Sequence, residues 1–278
     1  MTNSPTPPLS DRCSFDHVYN QVVRPFFDKL DDGRAFNQSY SLSNCLRVGF
    51  SLYSLKSPSM LQFRTMAQME EYNLGSVYGV GPIPADTQFR QVLDEVPVEE
   101  LRQGFGQLFN HFKRLTPLRK AYHVWQDFMG LSVDGVEHFR SKKVSCQHCL
   151  RRKHRDGSTS YFHSLLSAAI VHPDRREVFP LDHEAIVRGD GDVKNDCERS
   201  AIQRQVDHLE QHYPDLKAVL ILDALYNCAP VIRRIQRNKN WRYMIGVKEK
   251  GNAYLFEQFD VAHDGGRVKW RTYRDQQG

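Results

Sequence analysis

The sequence contains no apolar run on the scale of a bilayer. Its longest such runs resemble Ala218 to Leu222, whereas a spanning helix needs about 20 residues. The opening MTNSPTPPLS is polar and Pro-rich and has no apolar signal core. These absences predict a soluble, intracellular protein, placed in the cytoplasm. Six cysteines in 278 residues, at 13, 45, 146, 149, 197 and 228, are too sparse and irregular for a disulfide framework. They fit reduced thiols or a metal-binding pair. Nothing recurs at a fixed period, which argues against a solenoid.

Strong net charge is also lacking, since the formal value is only +5. Its distribution is uneven. Through Asp127 there are 13 basic and 13 acidic side chains, and after it 25 and 20. Arg140, Lys142, Lys143, Arg151, Arg152, Lys153 and Arg155 follow one another with no acid between Arg140 and Arg155. Such a block suits a polyanion, because neutralised phosphates release their counterions; a solvated basic loop is the plainer alternative.

Residues 1–14 read as a disordered tail and 15–127 as an all-helical region. Phe15, Val18, Tyr19, Val22, Val23, Phe26 and Phe27 recur at helical spacing, with Pro25 expected to bend the helix. Leu42 to Leu55 and Pro58 to Tyr72 follow as apolar segments. Asn73 to Pro84 reads as a connector, and Asp86 as the cap of a helix running to about Glu95. Pro97 restarts the pattern, and Val98, Leu101, Phe105, Leu108, Phe109, Phe112 and Leu115 mark one helical face.

Over 128–278 the texture is α/β. Phe128 to Val133, Ser160 to Val171 and Arg176 to Val187 have strand length. Asn195 with Glu198 can form a capping box for a helix burying Ile202, Val206, Leu209 and Tyr213. KAVLILD reads as a buried strand, Pro230 opens a helix, and Trp241 to Val247 is a fifth strand. The expected order is strand-strand-strand-helix-strand-helix-strand, a mixed sheet built by crossover units.

With Asp134 after the first of these strands and Asp223 after the fourth, the segments VDGVEHF, KNDCERSA, LILDALYNCAPVI and WRYMIGVKEK resemble insertion-sequence transposases of the DDE type. The likeness spans roughly Phe128 to Lys250. It implies a ribonuclease-H-like domain that cleaves and joins strands at transposon ends, with double-stranded DNA as partner, room for a homo-oligomer on DNA, and end-binding in the helical leader. Asp134 and Asp223 would be the first two catalytic acids and ligands of Mg²⁺ or Mn²⁺. Two such ions about 3.5–4 Å apart clamp an in-line displacement at phosphorus. The basic run would then lie on the phosphate side.

Plainer roles stand beside these. Asp134-Gly135 is also a hairpin-turn signal, Asp223 can cap the following loop, and Glu198 is most simply a capping acid, although in ribonuclease-H-like nucleases an acid on that helix joins the metals. The family's third acid, a Glu in a Tyr-Arg-Glu-Lys-like signature, has no match in Gly251 to Gly278, so truncation before it is expected. Glu257 is a possible substitute on a helix. Three activities follow: a transposase, inactive if the third acid is missing; a non-catalytic DNA-binding remnant or regulator; or a nuclease using Asp134, Glu198 and Asp223.

Cys146, Cys149 and His154 read C-x₂-C-x₄-H, the start of a zinc-knuckle spacing, with Thr159 where a fourth Cys would stand. His163 or His148 could complete a Zn²⁺ site, or the pair could simply be two thiols.

Overall fold

The structure is a computed structural model describing residues 8–34, 38–187 and 194–269, without the side chains of 194–197. Half of the expected N-terminal tail and the Asn195 side chain therefore lie outside the described residues. The chain divides into two units, Met1–Tyr122 and His123–Gly278.

The described elements of the first unit are helices: α1 (Leu9–Arg12), α2 (Phe15–Val18), α3 (Arg24–Lys29), α4 (Leu42–Ser54), α5 (Met60–Met69), α6 (Glu71–Tyr78), α7 (Asp86–Asp94), α8 (Val98–Arg114) and α9 (Thr116–Lys120). Between α2 and α3 a π-helical stretch, Tyr19–Val23, absorbs the misfit of Pro25. Proline lacks the N–H for an i→i−4 bond, and widening the turn relieves its ring. Ser41 and Ser59 start α4 and α5 by accepting N–H bonds from Asn44 and Gln62. One core gathers Tyr19, Val48, Leu52, Phe63 and Tyr78, and the Tyr19 hydroxyl donates to the Tyr78 carbonyl at 2.6 Å. Burial raises the Tyr19 pKa to about 12.

Three expectations fail here. Within the described part of the expected disordered tail, Leu9–Arg12 is helical. Half of the supposed connector is helical, because α6 runs through Gly75 and stops only at Gly79, whose φ of +63° takes the left-handed terminating conformation. Asp86 is not the cap of α7. Ala85 holds that position, and Asp86 lies in the first turn, paired with Arg90.

The second unit contains β1 (His123–Trp125), β2 (Phe128–Ser141), β3 (Leu150–Lys153), β4 (Thr159–Val171), β5 (Phe179–Ile186), α10 (Lys194–His212), β6 (Ala218–Leu222), α11 (Ala229–Gln236), β7 (Trp241–Ile245) and α12 (Ala253–Asp264). They form an α/β arrangement on a seven-stranded mixed sheet ordered β3-β4-β2-β6-β7, with β1 on β2 and β5 on β4. β2 is central. It pairs antiparallel with β4 along nearly its whole length and parallel with β6, which in turn is parallel to β7.

β2 corrects the turn alternative. The strand runs straight through Asp134-Gly135, which face Ser167 and Leu166 on β4, and it extends to Ser141 with a bulge between Glu137 and Phe139. An Asp-Gly pair turns a hairpin only when no neighbour holds it extended, and β4 supplies that neighbour. β3 also replaces part of the expected basic loop: Leu150 to Lys153 pair with Phe162 to Thr159.

α10 is fixed on the sheet by an apolar stripe of Ala201, Ile202, Val206 and Leu209. Polar ties accompany it. Gln205 Nε2 donates to the Leu166 carbonyl at 3.3 Å, Arg204 Nε to Glu184 at 2.7 Å, and the Tyr213 hydroxyl to the Leu181 carbonyl at 3.0 Å. His208 Nδ1 lies 3.3 Å from fully buried Asp182. Burying polar groups this deep is costly unless partners lie close by.

Candidate active site: a carboxylate cleft and a Cys-His cluster

The parallel pairing of β2 and β6 ends at Ser132 opposite Ile221. Two residues further along both strands stand Asp134 and Asp223, which brings the two carboxylates side by side where the parallel pair opens. That edge, at the carboxyl ends of parallel strands, is where open sheets place ligands. Asp223 Oδ1 accepts the Leu225 N–H at 2.7 Å and so caps the short 3₁₀ turn Ala224–Tyr226. The capping role and the cleft position coexist, because a carboxylate keeps a second oxygen. Asp134 Oδ1 accepts its neighbour's N–H, that of Gly135, at 2.8 Å.

Glu198 comes to the same place from α10. It is 6% exposed and in phase with Ile202, Val206 and Leu209, so an acid occupies a position on the sheet-facing stripe. The capping-box reading is corrected, since α10 already includes Lys194 and Asn195 and Glu198 is interior to the helix. Gly135 makes the approach possible. A Cβ there would lie 3.3 Å from the Glu198 carboxyl carbon, close enough that the Glu198 side chain would have to shift by a few tenths of an ångström. Arg199 Nε donates to the Leu225 carbonyl at 3.2 Å and ties α10 to the turn that follows Asp223.

These residues line a cleft of about 580 Å³ together with Lys248 and Lys250 from the segment after β7. Beneath it, Tyr226 is fully buried, and its hydroxyl has no hydrogen-bond partner among the described residues. Its pKa is driven well above the ordinary value, first by burial and then by Glu198, Asp223 and Asp134. The phenol therefore stays protonated, a donor facing three acids. Hard oxygen donors of this kind suit Mg²⁺ or Mn²⁺, yet their oxygens are not gathered within 4.8 Å of one another. Glu257, exposed on α12, does not line the cleft.

The basic residues are spread over the end of β2 (Arg140), the segment that follows it (Lys142 and Lys143) and the β3–β4 hairpin. Lys142, Lys143, Arg151, Lys153 and Arg155 are exposed. Arg140 and Arg152 differ from them: both bind Glu137, Arg152 at 3.3 Å, and the Arg140 hydrogen bond is the main reason the Glu137 pKa falls. A chain that has no acid between 140 and 155 thus receives one from upstream.

Among the described residues one set of ligand atoms does converge: Cys146, Cys149 and His163. The Sγ atoms are 3.6 Å apart, and His163 Nε2 lies 3.3 and 3.4 Å from them. His154 is not part of this set. Leu150 pairs with Phe162, so the next step of the register sets Cys149 opposite His163 and carries His154 into the turn. There its N–H donates to the Ser158 carbonyl and its Nε2 meets Ser160 Oγ at 2.9 Å. Burial, then His138 and His148, lowers the His163 pKa, which favours the neutral imidazole.

Sequence reasoning gave Gly135 only a turn role, and gave none to Tyr226, Lys248 or Lys250. The lysines had a signal, since loops after neighbouring parallel strands converge at one sheet edge. Compared with family models, with curated proteins and with solved structures, the chain matches none.

Proposed function

We propose that the second unit is a divalent-metal-dependent polynucleotidyl transferase of the DDE transposase type, acting on DNA. The observation that carries the proposal is the β2–β6 register, which sets Asp134 and Asp223 together at one sheet edge and in one cleft with Glu198. The motif resemblance and a sheet with β2 between antiparallel β4 and parallel β6 support the same reading, that of a ribonuclease-H-like core. Glu198 is the third acid of this reading; an acid on a stripe that otherwise buries apolar side chains sacrifices stability for function.

Asp134, Asp223 and Glu198 would hold Mg²⁺ or Mn²⁺, which when bound supply activation of a water or 3′-hydroxyl and stabilisation of the leaving oxygen. Lys248 and Lys250 neutralise the scissile strand's phosphates at the mouth of the cleft. Tyr226 keeps its proton, so the floor of the site adds no further negative charge to that of the three acids. The basic hairpin holds the flanking duplex through its backbone, a contact that positions without reading sequence.

A second reading, a DNA-binding protein without catalysis, is favoured by the spacing of the acid oxygens. One assay separates them. Purified protein is incubated with DNA carrying the element's ends, with Mg²⁺ or Mn²⁺, and both gel shift and nicking are scored. The proposal expects nicking that is lost in Asp134→Asn, Asp223→Asn and Glu198→Gln while the shift persists. A gel shift with no nicking by the wild type under either metal supports the second reading.

A further inference from the structure

We infer that Cys146, Cys149 and His163 bind a zinc ion that staples the β3–β4 hairpin to the segment leaving β2. A tetrahedral site with Zn–S near 2.3 Å and Zn–N near 2.05 Å has edges of about 3.8 Å between sulfurs and about 3.6 Å from sulfur to nitrogen. The three observed separations, 3.6, 3.4 and 3.3 Å, fall slightly inside those edges, so small outward shifts would seat the ion.

The surroundings fit a thiolate site. Cys149 is 2% exposed, and its Sγ accepts the Cys146 N–H at 3.2 Å, a bond that stabilises negative charge on sulfur. The Cys149 N–H donates to the Cys146 carbonyl at 3.2 Å, closing the tight turn that lets both side chains point one way. On binding, each thiol releases its proton to solvent while His163 gives its Nε2 lone pair. The imidazoles of His138, 5.9 Å from His163 between ring centres, and of His148 flank the site, and one of them or water completes the coordination.

The ion has structural work here. Residues 142–149 form no helix or strand and carry exposed Lys142 and Lys143. Too polar to fold on their own, they are anchored at one end by β2 and at the other by a four-residue strand. A link from Cys146 and Cys149 to β4 fixes this segment and the basic strand beside it. None of this depends on how the carboxylate cleft is read.

The test uses the full chain purified under reducing conditions. Metal analysis after gel filtration should find one zinc per chain, and Co²⁺ in its place should give the visible and near-ultraviolet bands of a tetrahedral cobalt thiolate. Cys146→Ser, Cys149→Ser and His163→Ala should abolish both signals, whereas His154→Ala and Asp134→Asn should keep them. Circular dichroism checks that the variants fold. Tryptic cleavage after Lys142 and Lys143 is the second readout, independent of variants: with zinc at about 100 times its dissociation constant, cleavage through the opened segment should be roughly 100-fold slower than after chelation. Wild-type protein that retains neither zinc nor cobalt overturns the inference, as does loss of metal in His154→Ala equal to that in His163→Ala, or a cleavage rate indifferent to chelation.

Discussion

The cleft and the Cys-His cluster differ in how the chain assembles them. Cys146, Cys149 and His163 meet through one hairpin, within eighteen residues of sequence: His163 lies on β4, and the two cysteines lie in the tight turn that leads directly into β3. Asp134, Glu198 and Asp223 span ninety residues and meet only after a parallel crossover and a helix have packed. The local site draws soft ligands close before any ion arrives. The long-range site brings three hard carboxylates to one cleft without gathering their oxygens within 4.8 Å of one another. A structural centre and a reactive one should differ in this way, since the first gains from preassembly and the second must leave room for substrate.

The largest expected effect comes from crossing the two sites. Asp134→Asn or Asp223→Asn should lower Mg²⁺-dependent nicking by at least ~10³-fold, about 4 kcal/mol in transition-state stabilisation, with zinc content unchanged. Cys149→Ser should do the reverse, emptying the zinc site while Mg²⁺-dependent nicking survives. Should Cys149→Ser also remove the Mg²⁺ response, the sites are not separable and the comparison breaks.

Next in size is a packing change beside the cleft that touches none of the ligands. Ile202→Ala, one helical turn beyond Glu198 on a fully buried position, should cost about 2–5 kcal/mol, as large-to-small core substitutions do. Denaturant unfolding reads this directly. Nicking should fall in folded protein as Glu198 loses its fixed approach to Gly135. The cobalt spectrum should be unaltered, because α10 is tied to β4 at Leu166, beyond the residues that hold the cluster. A spectrum that changes with Ile202→Ala would mean that the cluster, too, is held by long-range packing.

The same contrast explains what could be read from the sequence. The positions of Asp134 and Asp223 after strand-length runs were legible, but their choice as a pair rested on the resemblance to DDE transposases, because Asp134-Gly135 alone reads equally as a turn. Cys146 and Cys149 were legible by spacing, but His154 was preferred to His163 as partner because spacing says nothing of hairpin register. β3 was missed because Leu-Arg-Arg-Lys has no apolar alternation; an edge strand gets its pairing from β4 and needs none. Glu198 was assigned to a cap on local pattern, although its phase with Ile202, Val206, Leu209 and Tyr213 was visible. A stripe reading and a cap reading of one residue compete until the start of the helix is known, and the described part of α10 already includes Lys194. The extension of β2 past Asp134-Gly135 could not be foreseen, because only the partner strand decides between turn and extension.

A smaller effect concerns the basic hairpin. Arg151→Ala and Lys153→Ala should each flatten the salt dependence of DNA binding by about one phosphate's share, ~0.9 in the logarithmic slope. Arg152→Ala should change the slope less, because Glu137 already neutralises that guanidinium at 3.3 Å. Fluorescence anisotropy across a salt series measures all three. Equal slopes for the three variants would remove the distinction that Glu137 draws among the basic residues.

The smallest effect is a pH dependence located between the two sites. Glu137 lies on β2, three residues past Asp134 and one before the bulge residue His138, and it binds both Arg140 and Arg152. Its pKa is depressed below the ordinary value of 4.5, chiefly by the Arg140 hydrogen bond. A depressed carboxylate contributes stability that is fully present above its unfolded pKa and disappears as pH falls through the lower folded value. Wild type should therefore exceed Glu137→Gln in thermal midpoint near pH 7, and the gap should close as the solution is acidified below about 4.5. Salt should narrow the gap at neutral pH, because both guanidinium partners are partly exposed and their attraction is screened. A gap that is constant with pH would assign Glu137 a packing role, leaving Arg140 and Arg152 as free to meet phosphate as Arg151.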